Sequence, residues 1–501
     1  MRVPGLRYRD EWLPNFFPAK QVGPDHFVRL SRTGAMQLLS GAENAQLDEI
    51  SMDEALFERL EQTSHLITAQ NSSRVLEDLK RWHDRTYAGP GLHIVVLSKR
   101  CNLNCTYCHM NPENISADSK RFDMQPDVAD AIIRFALGSP APFLGFEFQG
   151  GEPFLNFEGM KYFVEEARRQ NESVGKRLRF SVVSNLMVAT DEHIAYCKEN
   201  RINVSYSLNG PEDIHDSFRV TRSGAGSFRK VMERLTHFRD RYPGVLSASP
   251  LCVVGASNAK ELKRTIDFYH AEGFKDLAIL KLKALGNARK EKLPFDIKDF
   301  LHYYLDALDY IYEKNRQENE NYSERVVRVV LAKILQSTDT GFVDWRNPVG
   351  DFGSAITYDH DGEILPSDEA RSMRSEFGLG NVKGTTYDAL IRNKATFRSM
   401  NLSLRDRDPQ CRECAFNPYC GVLPVLDYAR TGDATPRPHA SEECLQTLAV
   451  VEWVLRKLVE DPIPLLRMMP GMDAALVEMA NGLPTESSSQ AMPPMLSVQS
   501  G

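Results

Sequence analysis

The run Leu92-His-Ile-Val-Val-Leu-Ser-Lys-Arg-Cys-Asn-Leu-Asn-Cys-Thr-Tyr-Cys108 decides the fold, because an apolar, strand-like segment leads directly into three cysteines. Cys101, Cys105 and Cys108 have the spacing C-x3-C-x2-C. Three thiolates on one tight loop can hold three irons of a cubane cluster and leave the fourth iron open for chemistry. Zinc is the alternative occupant, although a structural zinc site usually has four protein ligands.

The segment that begins with this strand repeats a strand-then-helix rhythm six times, from residue 92 to about residue 285. Such alternation predicts an α/β fold with a parallel sheet and right-handed crossovers. No Gly-x-Gly-x-x-Gly follows the first strand, so we expect a partial (β/α)6 TIM-like barrel, with the polar motifs at the strand ends meeting at one mouth. The predicted strands are Leu92–Leu97, Phe143–Phe148, Leu178–Val183, Ile202–Leu208, Leu246–Val254 and Asp276–Leu282.

Smaller units flank the predicted barrel. A hairpin at Phe27–Leu30 with its following turn, and helices at Ser51–Gln62 and Ser72–Arg85, predict a small N-terminal α+β domain. This domain could grip a peptide by adding a strand to it, or cap the open side of the barrel. Beyond the barrel we expect helices at Phe300–Lys314 and Ser323–Gln336 and a hairpin at Ala355–Leu365. The predicted units are residues 1–90, 91–290 (barrel), 291–350 (helical linker), 351–450 (C-terminal cysteine domain), 451–483 (C-terminal helices) and 484–501 (disordered tail).

Composition restricts the possible partners and location. The chain has 501 residues, 42% of them hydrophobic, and a net charge of −7, which gives no reason to expect nucleic acid as the main partner. No apolar stretch approaches the length that spans a bilayer, so no membrane partner is expected. The nine cysteines form two clusters and two singles rather than a disulfide framework, and Cys197 and Cys252 are expected to be core residues. We expect a cytoplasmic protein.

The first cysteine loop, with Tyr107 before its last cysteine, resembles the signature of the radical S-adenosylmethionine (SAM) superfamily. The resemblance implies a 4Fe–4S cluster on Cys101, Cys105 and Cys108, with SAM bound at the free iron. Gln149-Gly-Gly-Glu-Pro153 resembles the Gly-Gly-Glu-Pro motif of that superfamily. By this likeness Gly150, Gly151 and Glu152 hold the methionyl amine, and the glycines let the backbone approach the ligand closely.

Two further motifs resemble parts of the same cofactor site. Ser184-Asn185 is similar to a segment expected near the ribose, although a polar pair at a strand end is also ordinary turn chemistry. The Ser207-Leu-Asn-Gly-Pro211 stretch and the later Arg219 are similar to elements of peptide-modifying members, which implies that Ser207 and Arg219 hold the methionyl carboxylate. Arg219 could instead form a surface ion pair. The family usually has Asp where this chain has Asn209, which cannot act as an acid or base.

The second cysteine group resembles the C-terminal cluster domain called SPASM, in which seven cysteines usually hold two auxiliary clusters. This chain lacks a cysteine after the hairpin, where it reads Pro366-Ser-Asp-Glu-Ala, and lacks others after Gly380 and at Pro424. The resemblance therefore implies one auxiliary 4Fe–4S cluster, with zinc as the alternative occupant. The implied ligands are Cys411, Cys414, Cys420 and Cys444.

Taken together, the motifs imply an enzyme that cleaves SAM to a 5′-deoxyadenosyl radical and abstracts hydrogen from a ribosomally made peptide or protein. The N-terminal domain and the cysteine loop most resemble the B-type maturases of His-Xaa-Ser peptide systems. This implies a precursor peptide with His-Xaa-Ser repeats, a second related maturase, and an electron donor such as flavodoxin or ferredoxin. The alternatives are a Ser or Cys oxidase of the anaerobic sulfatase-maturating type, and a non-catalytic, metal-stabilised scaffold that binds peptides.

Overall fold

The computed structural model describes residues 3–84, 87–110, 112–290, 295–318, 320–336, 342–346, 352–421, 423–435 and 440–469. The predicted disordered tail, 484–501, and much of the predicted unit 451–483 lie outside these residues. Within the described ranges, none of the helices combines the length and apolar character that crossing a bilayer requires.

The N-terminal segment contains short strands and three helices. Strands β3 (Lys20–Gly23), β4 (His26–Leu30) and β5 (Met36–Ser40) form an antiparallel sheet that includes the predicted hairpin. The predicted start of the next helix was wrong, because Ser51–Asp53 pairs as a strand with Leu6–Tyr8, and Asp53 caps the helix by accepting from Leu56 N–H at 2.8 Å. The elements are β1 (Leu6–Tyr8), β2 (Leu13–Pro14), β3 (Lys20–Gly23), β4 (His26–Leu30), β5 (Met36–Ser40), α1 (Gly41–Gln46), β6 (Ser51–Asp53), α2 (Glu54–Gln62), β7 (Leu66–Ile67) and α3 (Ser72–Asp84).

The middle of the chain contains the six predicted strands in alternation with helices. The elements are β8 (Leu92–Ser98), α4 (Pro126–Leu137), β9 (Phe143–Gly150), α5 (Phe157–Asn171), β10 (Arg177–Ser184), α6 (Asp191–Glu199), β11 (Ile202–Tyr206), α7 (Glu212–Phe218), α8 (Phe228–Arg241), β12 (Leu251–Val254), α9 (Leu262–Ala271), β13 (Asp276–Lys281) and α10 (Gly286–Lys290). The fifth predicted strand, Leu246–Val254, was too long, since Leu246 makes only an isolated bridge and β12 starts after Pro250, which has no N–H to donate.

Neighbouring strands of this region pair in parallel. β8, β9, β10 and β11 are adjacent in sequence order, and a parallel bridge between Ser207 and Leu251 links β11 to β12, which pairs with β13. Alternation along β9 explains its two faces. Phe146 and Phe148 point outward and pack on Phe163 of α5, with ring centroids 5.1 and 5.4 Å apart. Glu147 and Gln149 therefore lie on the opposite, inner face.

The C-terminal part completes a mixed sheet. The predicted hairpin is present as β15 (Ala355–Tyr358) and β16 (Glu363–Leu365). Because β15 also pairs in parallel with β8, the hairpin extends the main sheet, which has seven described strands. The elements are α11 (Ile297–Glu318), β14 (Ser323–Glu324), α12 (Arg325–Gln336), β15 (Ala355–Tyr358), β16 (Glu363–Leu365), α13 (Arg374–Phe377), β17 (Gly380–Asn381), α14 (Tyr387–Ile391), α15 (Lys394–Ser403), α16 (Pro409–Arg412), α17 (Pro424–Thr431), α18 (Glu442–Glu460) and α19 (Pro462–Leu466).

The N-terminal domain contacts the C-terminal cysteine segment. The Tyr419 hydroxyl donates to the Gly34 carbonyl at 2.9 Å, and Arg32 donates to the Arg412 carbonyl at 3.3 Å. Lys20 of β3 forms an ion pair with Glu452 of α18. These contacts between residues distant in the sequence thus connect the N-terminal domain to the C-terminal cysteine segment and α18.

Candidate active site

The cysteine loop follows β8 and is held by backbone hydrogen bonds on several sides. Cys101 and Cys105 are buried, Cys108 is half-buried, and the three side chains pack together around Leu103. Asn104 N–H donates to the Val220 carbonyl at 2.8 Å, and Thr106 N–H donates to the Phe218 carbonyl at 3.0 Å. The loop is therefore fixed in a shape that gathers three free thiols at the end of a sheet strand.

A buried ion pair fixes the start of this loop. The Arg100 guanidinium donates to both carboxylate oxygens of Asp123, at 2.7 and 2.6 Å, and also to the Leu155 carbonyl at 2.7 Å. Such a bidentate pair restrains the guanidinium in one orientation. Arg100 immediately precedes Cys101, so this pair positions the first thiol.

The two glycines after β9 lie against the cysteine loop. Gly151 N–H donates to the Ser98 carbonyl at 2.7 Å. A Cβ atom on Gly150 would lie 2.3 Å from the Ser98 carbonyl oxygen, and one on Gly151 would lie 2.2 Å from that of Arg100. The neighbouring backbone itself therefore excludes a side chain at both positions, which is a reason for glycine in addition to the expected close approach to a ligand.

Glu152 is fully buried, and its carboxylate connects the segment after β9 to the end of β10. Its carboxylate accepts from the Ser184 hydroxyl at 2.8 Å, from Asn185 N–H at 2.8 Å and from Phe154 N–H at 3.2 Å. Burial raises the pKa of Glu152 to about 7, although these hydrogen bonds oppose the shift. A cation beside this carboxyl would favour its charged form.

Ser184 and Asn185, at the end of β10, are both buried. The Asn185 amide donates to Asn102 Oδ1 at 2.9 Å and lies 3.8 Å from the Cys101 sulfur, and Asn185 Oδ1 accepts from Met187 N–H at 3.0 Å. The predicted pair thus lies beside both Glu152 and the first thiol.

Tyr107 and Arg219 also meet at this place. Arg219 Nη1 donates to the Tyr107 hydroxyl at 2.6 Å, and burial raises the pKa of Tyr107 to about 12. Arg219 is buried, so it is not the surface residue of the alternative interpretation. Ser207 is half-buried and forms its bridge to β12, while Asn209 is fully buried beside Tyr107. The structure therefore brings the predicted residues that follow β8, β9 and β10 together with Arg219, which follows α7, whereas Ser207 is placed only by its bridge to β12.

A group of charged side chains beside the cysteine loop was not predicted from the sequence. Asp368 lies 2.9 Å from Nε2 of His109, the residue after Cys108, and Lys283 pairs with Glu369. Burial raises the pKa of Glu147 and of Asp344, both of which are close enough to Asp368 for charge interaction. One sequence feature could have indicated part of this group, because Glu147 is a charged residue within the otherwise apolar strand β9. Nothing in the sequence, however, indicates that Glu147 lies near Asp344 or Asp368.

The C-terminal cysteines also converge. Cys411 is in α16, Cys414 and Cys420 flank the turn at Asn417–Tyr419, and Cys444 is in the first turn of α18. Burial raises the pKa of Cys444 to about 12, and the three other thiols of the set, all close by, add to the shift. Because a metal takes thiolates, binding here must release protons.

Two of the positions where the SPASM resemblance implies a cysteine, at Ser367 and Pro424, lie next to apolar side chains. Ser367 is buried, and Pro424 begins α17. Their neighbours Leu365, Ala370 and Val425 belong to one hydrophobic cluster with Leu285 and Met373. A separate group, Asp359, His360 and Asp361, has ligating atoms within 4.8 Å of one another, but Arg374 pairs with both carboxylates, at 3.0 and 2.7 Å.

Comparisons with known proteins agree with this site. A family model described as Radical SAM superfamily matches residues 95–269. The cysteine-type anaerobic sulfatase-maturating enzyme of Clostridium novyi is 24% identical over 331 residues, which are 64% of this chain and 84% of that enzyme. The serine-type anaerobic sulfatase-maturating enzyme of Bacteroides thetaiotaomicron is 22% identical over 354 residues, 67% of this chain and 83% of that one.

Solved structures share the fold. Native anSMEcpe with bound AdoMet has a TM-score of 0.60 at 21% identity, over 78% of this chain and all of that chain. Streptococcus suis SuiB bound to its precursor peptide SuiA has a TM-score of 0.50 at 12% identity, over 85% of this chain and 98% of that chain.

The strand-end thiol loop lies within residues 95–269, the segment that matches the radical SAM superfamily. This match and the sulfatase-maturating relatives support an oxidoreductase-type radical SAM enzyme that modifies its substrates. The expected α/β fold is confirmed, but the main sheet is mixed rather than wholly parallel. A 4Fe–4S cluster and SAM are its cofactors. The chain fits them: three free thiols are gathered, and the buried Nε of Arg219 and Nδ2 of Asn209 have no partner among the described residues.

Proposed function

We propose that this enzyme modifies a peptide or protein by radical chemistry at the carboxyl ends of β8 to β11. One observation carries the proposal: the three thiols, the Glu152 carboxylate with Ser184 and Asn185, and the pair Tyr107–Arg219 lie together there. Active sites in parallel barrels form at this edge, because the carboxyl ends of the strands meet there. The open six-stranded barrel is part of the proposal.

Each group of residues has a separate task. Cys101, Cys105 and Cys108 hold the cluster, Glu152 with its two preceding glycines holds the methionyl amine, and Ser184 and Asn185 lie by the ribose. Ser207 and Arg219 bind the methionyl carboxylate. When bound, the reduced cluster and SAM supply a 5′-deoxyadenosyl radical able to take hydrogen from an unactivated C–H bond. The protein's contribution is to orient both partners and keep water out.

The charged group beside the loop faces the substrate side of the proposed site. Glu147 lies on the inner face of β9, and Lys283 follows the end of β13. These side chains can orient a polar segment of substrate next to the cofactors. Their proximity to Cys108 through His109 supports this placement.

A second cluster at the C-terminal thiols completes the proposed enzyme. Cys411, Cys414, Cys420 and Cys444 would ligate it fully, and the apolar packing near Ser367 and Pro424 supports the loss of the other auxiliary cluster. A fully ligated cluster is suited to electron transfer. It would receive an electron from the substrate radical during crosslinking or oxidation. Zinc is the alternative occupant, and the absorption spectrum of anaerobically purified protein distinguishes them.

The substrate of first choice is a ribosomally made precursor peptide with His-Xaa-Ser repeats, bound in part by the N-terminal domain. The proposal includes a second related maturase and a flavodoxin or ferredoxin as electron donor. The matched structure of SuiB contains a precursor peptide, which supports the peptide class in general.

Oxidation of a serine or cysteine on a sulfatase-like protein is the second candidate. The sequence relatives named above favour it, because they are sulfatase-maturating enzymes. Mass spectrometry with both kinds of substrate separates the two. A mass loss on sulfatase peptides alone would reject the His-Xaa-Ser substrate, and a loss on the repeat peptide alone would reject the sulfatase type.

Cysteine substitutions test the enzyme proposal. Reconstituted protein with SAM and dithionite should form 5′-deoxyadenosine, and Cys105→Ala should abolish it. Cys414→Ala should still cleave SAM but yield no modified peptide. Cys197→Ala, at a buried position in α6 remote from both thiol sets in sequence, is the matched control and should keep both activities. If the wild type forms no 5′-deoxyadenosine, the protein is a metal-stabilised scaffold instead.

A further inference from the structure

Asn209 is held in one orientation three residues beyond the end of β11. Its side-chain Oδ1 accepts from Val253 N–H at 3.4 Å, and its own backbone N–H donates to Nδ1 of His215 at 3.3 Å. The residue is fully buried. Because Oδ1 faces Val253, the amide nitrogen faces away from that strand. It lies beside the Tyr107 hydroxyl, close enough to lower the pKa of Tyr107 but outside hydrogen-bonding geometry with any of the described residues.

Arg219 presents a second unsatisfied donor at the same place. Only 5% of Arg219 is exposed, and its Nη1 donates to Tyr107, but its Nε has no partner in the described part of the chain. Among the described residues, no carboxylate lies within ion-pair distance of this guanidinium. Glu152 and the nearby thiols interact with this charge only from beyond ion-pair distance. A buried charge without a directly paired counter-charge is costly, and so is a buried donor without an acceptor. Both deficits are removed by a small anionic group with two acceptor oxygens.

We propose that Asn209 is a SAM-binding residue, which takes the methionyl carboxylate together with Arg219. The inference rests on the proposed function and extends it to a residue outside the predicted contacts. The carboxylate is the anionic group of SAM, whereas its ammonium and sulfonium are cationic and its adenine and ribose are neutral. It is therefore the part of the ligand that two convergent donors, one of them charged, would select.

The identity of residue 209 then controls affinity. An aspartate in this position would pair with Arg219, satisfy the guanidinium internally and repel the ligand carboxylate. The neutral amide instead adds a donor and leaves the positive charge of Arg219 for the ligand. The departure of this chain from the usual Asp thus strengthens cofactor binding.

The test is equilibrium binding by calorimetry under nitrogen, with reconstituted protein and two ligands, SAM and decarboxylated SAM. Asn209→Ala should weaken SAM binding about tenfold, the effect of losing one hydrogen bond to a charged group. Asn209→Asp should weaken it about a hundredfold, since repulsion adds to that loss. Neither change should alter binding of decarboxylated SAM by more than about threefold. Asn203→Asp, at an exposed position of β11, is the matched control and should leave both affinities unchanged.

The outcomes separate this inference from the proposed function. Equal weakening for both ligands, or Asn209→Asp binding SAM as the wild type does, would reject the role of Asn209 and leave the enzyme proposal intact. A wild-type protein that binds neither ligand would reject both. Iron content and unfolding midpoint show that each variant folds, and Asn209→Ala alone decides the question if Asn209→Asp does not fold.

Discussion

At the residue scale, the site depends on how closely two backbone segments approach. Gly150 and Gly151 leave β9 directly against Ser98 and Arg100, where no Cβ fits. The hydrogen bond from Gly151 N–H to the Ser98 carbonyl, and that from Glu152 N–H to the Arg100 carbonyl at 2.8 Å, require this approach. These contacts hold Glu152 and Cys101 in a fixed relation.

Gly151→Ala should therefore disturb the thiol loop. The added methyl group meets backbone, which cannot rotate away, so we expect a loss of about 1–3 kcal/mol in the free energy of unfolding, as for overpacked sites. Urea unfolding and iron bound after reconstitution measure the effect. Gly91→Ala is the matched control, because a Cβ on Gly91 meets no atom within 4 Å. Equal effects of the two substitutions would contradict this explanation.

At the element scale, a buried carboxyl begins the helix α12. Glu324 is fully buried and accepts from the Tyr304 hydroxyl at 2.8 Å and from Val326 and Val327 N–H at 2.8 and 3.1 Å. The helix therefore obtains its N-terminal acceptor from the preceding strand β14. Burial nevertheless raises the pKa of Glu324 to about 7 from its ordinary value of 4.5.

This pKa predicts a pH dependence of stability. Between about pH 4.5 and 7 the folded protein holds a proton that the unfolded chain has lost, so stability falls as pH rises, by up to about 3 kcal/mol. Glu324→Gln should remove this contribution, and the difference in unfolding free energy between pH 5 and pH 8 should change by about that amount. The buried histidines make the same contribution to the pH dependence in the wild type and in Glu324→Gln, so their contribution cancels in the comparison. Exposed Glu172→Gln is the control, and an identical pH profile for both variants would contradict the prediction.

At the scale of the whole molecule, the N-terminal domain supports the C-terminal thiol set. Tyr419, next to Cys420, is buried, and its hydroxyl donates to Gly34 in the turn between β4 and β5. The Lys20–Glu452 pair connects the same domain to the helix that contains Cys444. The N-terminal domain thus packs next to two of the segments that contain the proposed ligands of the auxiliary cluster.

Tyr419→Phe should weaken this connection. Loss of one buried hydrogen bond is expected to lower the free energy of unfolding by about 1 kcal/mol. In a Cys105→Ala background, where iron remains only at the C-terminal set, a chelator should remove that iron faster. Tyr310→Phe, which loses a surface hydrogen bond to Asp267, is the control. Unchanged iron release in Tyr419→Phe would show that the N-terminal domain does not protect the site.

The sequence by itself determined the features encoded in neighbouring residues. The six strands follow from local apolar runs, the thiol loop from its spacing, and the order of the motifs from their positions after successive strands. Local patterning suffices here because strand and turn preferences act over a few residues, and parallel strands that follow one another end at the same edge.

Only the tertiary structure decided what depends on residues far apart. β15 joins β8 from more than 250 residues away, as the register of Thr357 opposite Ile94 shows. Asp368 reaches His109, and the amide of Asn209 faces Tyr107, through packing that no local pattern encodes. That a Cβ on either glycine after β9 would meet the backbone of Ser98 or Arg100 likewise depends on tertiary packing. Burial, charge compensation and steric exclusion depend on which segments contact each other in the folded protein. Local sequence patterns do not encode these long-range contacts.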